Sequence, residues 1–362
     1  MKSFIRAAAL GGAAALALAA CGSAPSATPS TSSGASNFKA CMVSDAGGFD
    51  DKSFNQSGYE GLQKANAELG VQVKAVESKQ EGDYTPNVAA MLSQKCDLII
   101  GVGYLLEPAI HKAAEANPNV HFALVDSAFQ DANYDPVTLA NAKPILFDTA
   151  QAAYLAGYLA AGMTTTRTVG TYGGMQIPSV TIFMDGFADG IAEYNKTNSA
   201  SVKLLGWDKD KQTGLFAGSF DDQSKGQAQG KSLLDQGADI IMPVAGPVGL
   251  GTVAAIKSAK NGPMFIGVNS DWVLSGPDSS SVTLTSVMKQ IGQAVFDTIK
   301  SSAGGKFVTD PYVGTLQNGG VGIAPYHDFA SKVPTQLSSK VDSLKQDIID
   351  GKITVTSTSS PK

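Results

Sequence analysis

Asp97-Leu-Ile-Ile-Gly-Val-Gly103 and Asp239-Ile-Ile-Met-Pro-Val-Ala-Gly246 share one pattern: an acidic residue, an unbroken apolar run and a glycine. Continuous apolar character, in place of alternation, marks a strand covered on both faces, as in a parallel sheet flanked by helices. Each stretch follows one amphipathic segment and precedes another. After that comes a second apolar run, His121-Phe-Ala-Leu-Val125 or Met264-Phe-Ile-Gly-Val268, ending near an acidic residue, Asp126 or Asp271. The two halves of the chain therefore look like two copies of one architecture.

Outward from these runs, the first half predicts strands over Lys39–Val43 and Val71–Val76. Helices are predicted over Asn55–Leu69, Tyr84–Lys95 and Glu107–Asn117. Tyr59, Leu62, Ala65 and Leu69 fall on one face of the first helix, and Gly70 suits the position just past its end. The pattern restarts with an apolar helix, Thr149–Met163. Strands follow at Thr168–Gly173, Val202–Gly206 and Val282–Val287, and helices at Pro178–Asn195, Asp222–Gln236, Val248–Ala259, Gln290–Ser301 and Val333–Ile349. Repeated strand–helix alternation predicts an α/β fold of two doubly wound parallel-sheet lobes. In such sheets ligands bind beyond the carboxyl ends of the strands, so the post-strand loops carry the candidate site.

The amino terminus sets the compartment. Lys2 and Arg6 precede an apolar, small-residue run, Ala7 to Ala20, which ends Leu18-Ala19-Ala20-Cys21. This reads as a secretory signal over 1–20, shorter than the ~20 apolar residues a membrane span needs. The tetrapeptide resembles a bacterial lipobox, which implies cleavage before Cys21, its lipidation and anchoring at the bacterial cell membrane, on the extracytoplasmic face. Residues 21–37, rich in Gly, Ser, Ala, Thr and Pro, read as the lipidated cysteine and a flexible tether.

The remaining body, roughly 325 residues, exceeds what one hydrophobic core usually spans. A net charge of −5 and the lack of a basic run argue against nucleic acid as a partner. Three histidines and three cysteines offer no metal spacing, and neither a metal nor a cofactor is expected. With Cys21 assigned to lipid, Cys41 and Cys96 remain. In the doubly wound order 2-1-3, Cys41 in the first strand and Cys96 just before the third lie toward the amino ends of neighbouring strands. A disulfide across a Cα separation near ~5.5 Å is then feasible, with two buried thiols as the alternative.

After the first strand comes Ser44-Asp-Ala-Gly-Gly-Phe-Asp-Asp-Lys-Ser-Phe-Asn55. Asp50, Asp51 and Ser53 suit a helix start. Phe54, aromatic among polar residues, suits stacking on a planar ligand. Phe220, in a Gly-Ser-Phe-Asp-Asp loop, is hard to explain as core. Phe183 and Phe187, at helical spacing, read as core. Asp126 and Asp271 each end a buried strand, where capping the next segment competes with ligand contact, and Lys289 could simply pair with Asp271.

The stretch from Asp45 to Asn55 resembles the opening signature of the basic membrane protein family, lipoprotein substrate-binding components of nucleoside ABC importers with the type I periplasmic-binding-protein fold. Further collinear segments are Gly101-Val-Gly-Tyr104, Phe183-Met-Asp-Gly-Phe187, Gly218-Ser-Phe-Asp-Asp222 with Lys225-Gly226, Ala245-Gly-Pro247, Asn269-Ser-Asp271 and Ser286-Val-Met-Lys289. The resemblance implies a multi-segment hinge, with an N-terminal lobe over 38–147 and 288–315 and a C-terminal lobe over 148–287 and 316–358. It implies a purine nucleoside between the lobes and ABC permease and ATPase subunits as partners. Phe54 and Phe220 would sandwich the base. Asp45 and Asp126 would accept hydrogen bonds from base N–H groups, with Asn55 assisting. Asp271 and Lys289 would hold ribose hydroxyls, with a backbone contact at Gly246.

Rival readings are a sugar or other polar ligand in the same fold, a non-transport surface receptor, and a secreted hydrolase such as a nucleosidase. A hydrolase would need a carboxylate–metal cluster or a nucleophile–base pair, and no catalytic residue is expected. Gly226-x-x-x-Gly230-Lys231-Ser232 is one residue short of a phosphate-binding loop and falls inside a predicted helix. Gly101-x-Gly103-x-x-Leu106 lacks the third glycine of a dinucleotide fingerprint. ATP that powers import would be hydrolysed by another subunit.

Overall fold

The unbroken apolar runs become central strands because only there are both faces of a sheet covered. A computed structural model describes residues 37–361 of the chain apart from 132 and 134; the expected signal peptide, Cys21 and nearly all of the tether lie outside the described residues. The first half runs β1 (Lys39–Ser44), α1 (Phe54–Leu69), β2 (Gln72–Val76), α2 (Tyr84–Ser93), β3 (Leu98–Val102), α3 (Glu107–Ala116), β4 (His121–Val125) and β5 (Ala142–Phe147). The second begins with α4 (Thr149–Met163), β6 (Thr168–Gly173), α5 (Pro178–Asn198) and β7 (Lys203–Leu205), then a small hairpin of β8 (Trp207–Asp208) and β9 (Thr213–Gly214). It continues with α6 (Gln223–Asp235), β10 (Ile240–Val244), α7 (Gly249–Ser258), β11 (Met264–Asn269), α8 (Trp272–Ser275) and β12 (Thr283–Lys289). The last elements are α9 (Ile291–Ala303), β13 (Tyr312–Gly314), β14 (Val321–Ile323) and α10 (Thr335–Ile349).

Two six-stranded sheets result, ordered β13-β5-β4-β3-β1-β2 and β14-β12-β11-β10-β6-β7. All pairings within them are parallel except β12 with β14. β3 and β10, the two runs with the shared pattern, hold the same place in their sheets, third from the corresponding edge. Helix α6 contains Gly226, Gly230 and Lys231, so no phosphate-binding turn forms there.

The chain passes between the sheets after β5, after β12 and after β13. α9 returns to the first sheet's side and packs on α1 so closely that a Cβ at Gly61 would lie 2.2 Å from the Gly292 carbonyl oxygen. His121 Nδ1 and Ser302 Oγ, 2.7 Å apart, fix the far end of α9 to β4. Cys41 and Cys96 form a disulfide with a Cα separation of 5.9 Å. It lies in the core on the α2–α3 face of the first sheet, with Val43, Ile99 and Phe122.

Strands β5, β13 and β14, like the β8–β9 hairpin, are not anticipated from the sequence. Lys143 and Pro144 interrupt the apolar run of β5, yet Pro144 sits in register with Leu124. β13 and β14 are three-residue edge strands, too short for a periodic signal.

Candidate functional site

The carboxyl ends of β1, β3 and β4 in the first sheet and of β10, β11 and β12 in the second open on one cavity of about 60 Å³. Asp45, Phe54, Asn55, Asp126, Phe220, Gly246 and Lys289 all line it. Asp271 does not.

Asp45 follows β1 directly. Its Oδ1 accepts a 2.9 Å hydrogen bond from Asn55 Nδ2, and its Oδ2 occupies the space a side chain at position 103 would fill. A Cβ on Gly103, where φ is +124°, would lie 2.0 Å from that oxygen. Burial pushes the Asp45 carboxyl up to about 8; the Asn55 hydrogen bond opposes this, while the nearby Asp51 and Asp126 charges add to it. Asp45 is therefore mostly protonated at neutral pH, able to donate through its hydroxyl as well as to accept. Asn55 Oδ1 is buried with no hydrogen-bond partner. Such a carbonyl is costly unless something donates to it.

Asp51, expected to suit a helix start, does so: its carboxylate accepts from the backbone N–H groups of Ser53, Asn55 and Gln56 at 2.9–3.0 Å. That cap holds the first turn of α1 and with it Phe54 and Asn55. Burial raises the Asp51 carboxyl, and the N–H donors pull it back.

At the other end of the cavity Lys289 Nζ donates to Asp126 Oδ2 at 2.5 Å, rather than pairing with Asp271. Both side chains are nearly inaccessible to solvent. Burial pushes the Asp126 carboxyl up and the Lys289 ammonium down, and each partner's charge opposes the shift of the other. The ammonium also lies 5.4, 5.8 and 5.0 Å from the ring centres of Phe54, Phe147 and Phe183. Aromatic faces at such distances stabilise a cation.

Phe220 enters from the second lobe, its ring against the backbone of Gly174: a Cβ there would lie 2.3 Å from Phe220 Cε1. Phe183 is core, as its spacing indicates, yet it also forms part of the cavity wall. Gly246 has φ +54° and opens a short 3-10 turn before α7.

Three hydrogen bonds join the lobes beside the cavity. Ser53 Oγ donates to the Val268 carbonyl at 3.1 Å, Asn269 Nδ2 donates to Ser53 Oγ at 3.1 Å, and Ser270 Oγ donates to the Lys52 carbonyl at 3.0 Å. Asn269 is a wall residue that sequence reasoning passed over. It enters the sequence reading only as the first residue of Asn269-Ser-Asp271, without a ligand role; in the structure it ends β11, one residue beyond the expected strand, with φ +72°.

The expectation that Asp271 reaches a sugar meets a different arrangement. Its Oδ1 accepts from Val273 N at 3.1 Å, capping α8, and its Oδ2 lies 2.7 Å from His327 Nε2. The turn after Asn269 carries it out of the cavity wall. Among the described residues, no group of three or more His, Cys, Asp or Glu side chains is placed to hold a metal ion, and no helix is long and apolar enough to cross a membrane.

Residues 38–359 match the family described as ABC transporter substrate-binding protein PnrA-like. The ABC transporter nucleoside-binding protein BmpA of Lactococcus lactis is 33% identical over 338 residues, covering 89% of this chain and 90% of the relative. An uncharacterized lipoprotein of Pyrococcus furiosus is 30% identical over 292 residues, covering 78% and 69% of the two chains. An ABC transporter solute-binding protein of Aeropyrum pernix superposes with a TM-score of 0.77 at 24% identity, over 90% of this chain and 94% of that one.

Proposed function

The chain belongs to the PnrA-like family of ABC transporter substrate-binding proteins, and from that premise we propose that it captures a purine nucleoside between its two lobes for an ABC importer. Phe54 and Phe220, one from each lobe on the same cavity, carry this reading. A planar base held between two rings is recognised by its π-faces. Its edge would meet the unpartnered Asn55 Oδ1 as acceptor and the Asp45 carboxyl as donor or acceptor. A purine edge that places an N–H group beside a ring nitrogen or carbonyl complements this pair.

The sugar then faces the Asp126–Lys289 pair and Asn269, with the Gly246 backbone nearby. Charged and amide groups suit a diol, since each hydroxyl both donates and accepts. Asp271 is omitted from the sugar contacts because its carboxylate is engaged elsewhere. The three bonds around Ser53 and Asn269 belong to the closed arrangement, and hinge opening would break them to admit ligand. The lobes divide at about 147/148, 289/290 and 315/316: β12 keeps Lys289 in the second sheet, two residues past the boundary expected at 287/288. The body performs no catalysis and is tethered to the extracytoplasmic face of the cell membrane through lipid on Cys21. It presents the loaded form to permease and ATPase subunits.

Isothermal titration of the purified body with purine nucleosides, free bases and sugars tests the ligand. Nucleosides should bind more tightly than bases or sugars. A sugar that binds more tightly than every nucleoside would replace the reading with polyol transport. Mass spectrometry of membrane-extracted protein tests the anchor, and an unmodified Cys21 would remove it.

A further inference from the structure

Beyond the Asp126–Lys289 pair lies a second cavity of about 320 Å³. Tyr104, Asp126, Ser179 and Lys289 line both cavities and so form a common partition. The outer wall of the second is the carboxyl-terminal tail, through Thr358, Ser359, Ser360 and Pro361. That tail is fastened along α5. Ser357 Oγ donates to Asp185 Oδ2 at 2.6 Å, Lys209 Nζ donates to the Thr356 carbonyl at 2.7 Å, and Ser359 Oγ lies 2.8 Å from Thr181 Oγ1. Asp185 is itself fully buried and also accepts from Trp207 Nε1 and Gln212 Nε2, so the anchor point is rigid.

The first cavity is far below the ~300 Å³ at which ligand pockets begin, whereas the second reaches that range. The second wall is mixed: Leu146, Phe147 and Ile182 are apolar, Ser127, Gln130 and the tail hydroxyls are polar and uncharged, and Asp135 adds a carboxyl group that further disfavours an anion. Among the described residues its one cation is Lys289, already paired with Asp126, so an anionic group would meet no free positive charge from them.

We propose that this second cavity is a compartment of the ligand site that takes an uncharged substituent on the sugar of the bound nucleoside, with the tail from Ser357 to Pro361 as its wall. This rests on the nucleoside reading, in which the sugar lies against the partition. The substrate class is thereby widened from nucleosides to nucleosides extended at the sugar end by a neutral, partly apolar group, and 5′-phosphates are excluded.

The test is isothermal titration with adenosine, guanosine and inosine, with 5′-deoxy-5′-alkylthio derivatives of the tightest binder, and with its 5′-monophosphate. The alkylthio compounds should bind within about threefold of the parent, and the monophosphate about tenfold or more weaker. Ser359→Trp, which fills the cavity from the tail, should weaken the alkylthio compounds by about tenfold while leaving the parent within about threefold. Gln130→Trp fills it from the other lobe and should act alike, so the result does not depend on one variant folding. Loss of binding on alkylthio extension in the unaltered protein, with the parent still bound, overturns the compartment alone. So does equal weakening of parent and extended ligands in both variants. No binding of any purine nucleoside overturns the nucleoside reading instead.

Discussion

The ammonium of Lys289, at the carboxyl end of β12, lies 2.5 Å from the carboxylate of Asp126, just past β4 in the other sheet. One buried ion pair thus spans the two lobes at the partition between the cavities. Two charges taken out of water gain little net stability from each other, but removing one strands the other. In a hinged molecule the stranded charge has an escape, because the lobes can part and rehydrate it without unfolding.

Lys289→Met is therefore expected to open the ligand-free protein. Small-angle scattering should give a larger radius of gyration for the variant, and the double variant Asp126→Asn/Lys289→Met should restore much of the compactness. If the lobes stay closed, the unpaired Asp126 should cost ~3–5 kcal/mol of unfolding free energy, seen in urea titration. An unchanged radius with unchanged stability would deny the pair any role in closure.

Asp45 predicts a pH dependence. Its carboxyl is raised to about 8 by burial, from an ordinary value of 3.8. Between those values the native chain holds a proton that the unfolded chain has lost, so this group's stabilising contribution falls as pH rises and is gone above about 8. The slope is at most ~1.4 kcal/mol per pH unit. Asp45→Asn removes that titration, so the difference in urea stability, variant minus parent, should grow between pH 5 and pH 8. A difference that is flat across that range would mean that Asp45 ionises normally.

The strands that build this site were legible in the sequence where both of their faces are buried, because their runs are unbroken: β3, β4, β10 and β11. The loop from Asp45 to Asn55 was legible because glycines, acids and an aromatic residue rarely coincide without a reason. What stayed hidden depends on contacts distant in sequence. Nothing local marks Asn269, whose side chain binds Ser53 in the other lobe. Asp271, two residues on, carries the more conspicuous chemistry, but it lies beyond the turn and binds His327. The partition role of Lys289 follows from β12 and β4 meeting across the cleft, which no spacing along the chain encodes.

The disulfide between Cys41 and Cys96 closes a sequence separation of 55 residues. Loop-closure entropy makes such a link worth on the order of 4 kcal/mol. Cys41→Ala/Cys96→Ala should lower the unfolding free energy by about that amount in urea titration and leave nucleoside affinity nearly unchanged, since neither cysteine lines the cavity. Alkylation of both cysteines in unreduced protein would show that the bond does not form.

The last prediction separates ligand contacts from structural ones. Phe54→Ala and Phe220→Ala should each cost ~1–3 kcal/mol of nucleoside affinity, on the scale of base–aromatic stacking. The free base should lose as much as the nucleoside, because in the proposed arrangement the rings touch only the base. Asn269→Ala should weaken the nucleoside more than the base. Asp271→Ala should do neither. Its carboxylate caps α8 and holds His327 outside the cavity wall, so the expected loss is ~0.5–2 kcal/mol of stability, the cost of a lost helix cap. Calorimetric titration beside thermal melting reads both quantities. If Asp271→Ala weakened nucleoside binding while sparing the free base, Asp271 would have to move into the sugar site on closure, and the sugar contacts assigned to Asn269 would be wrong.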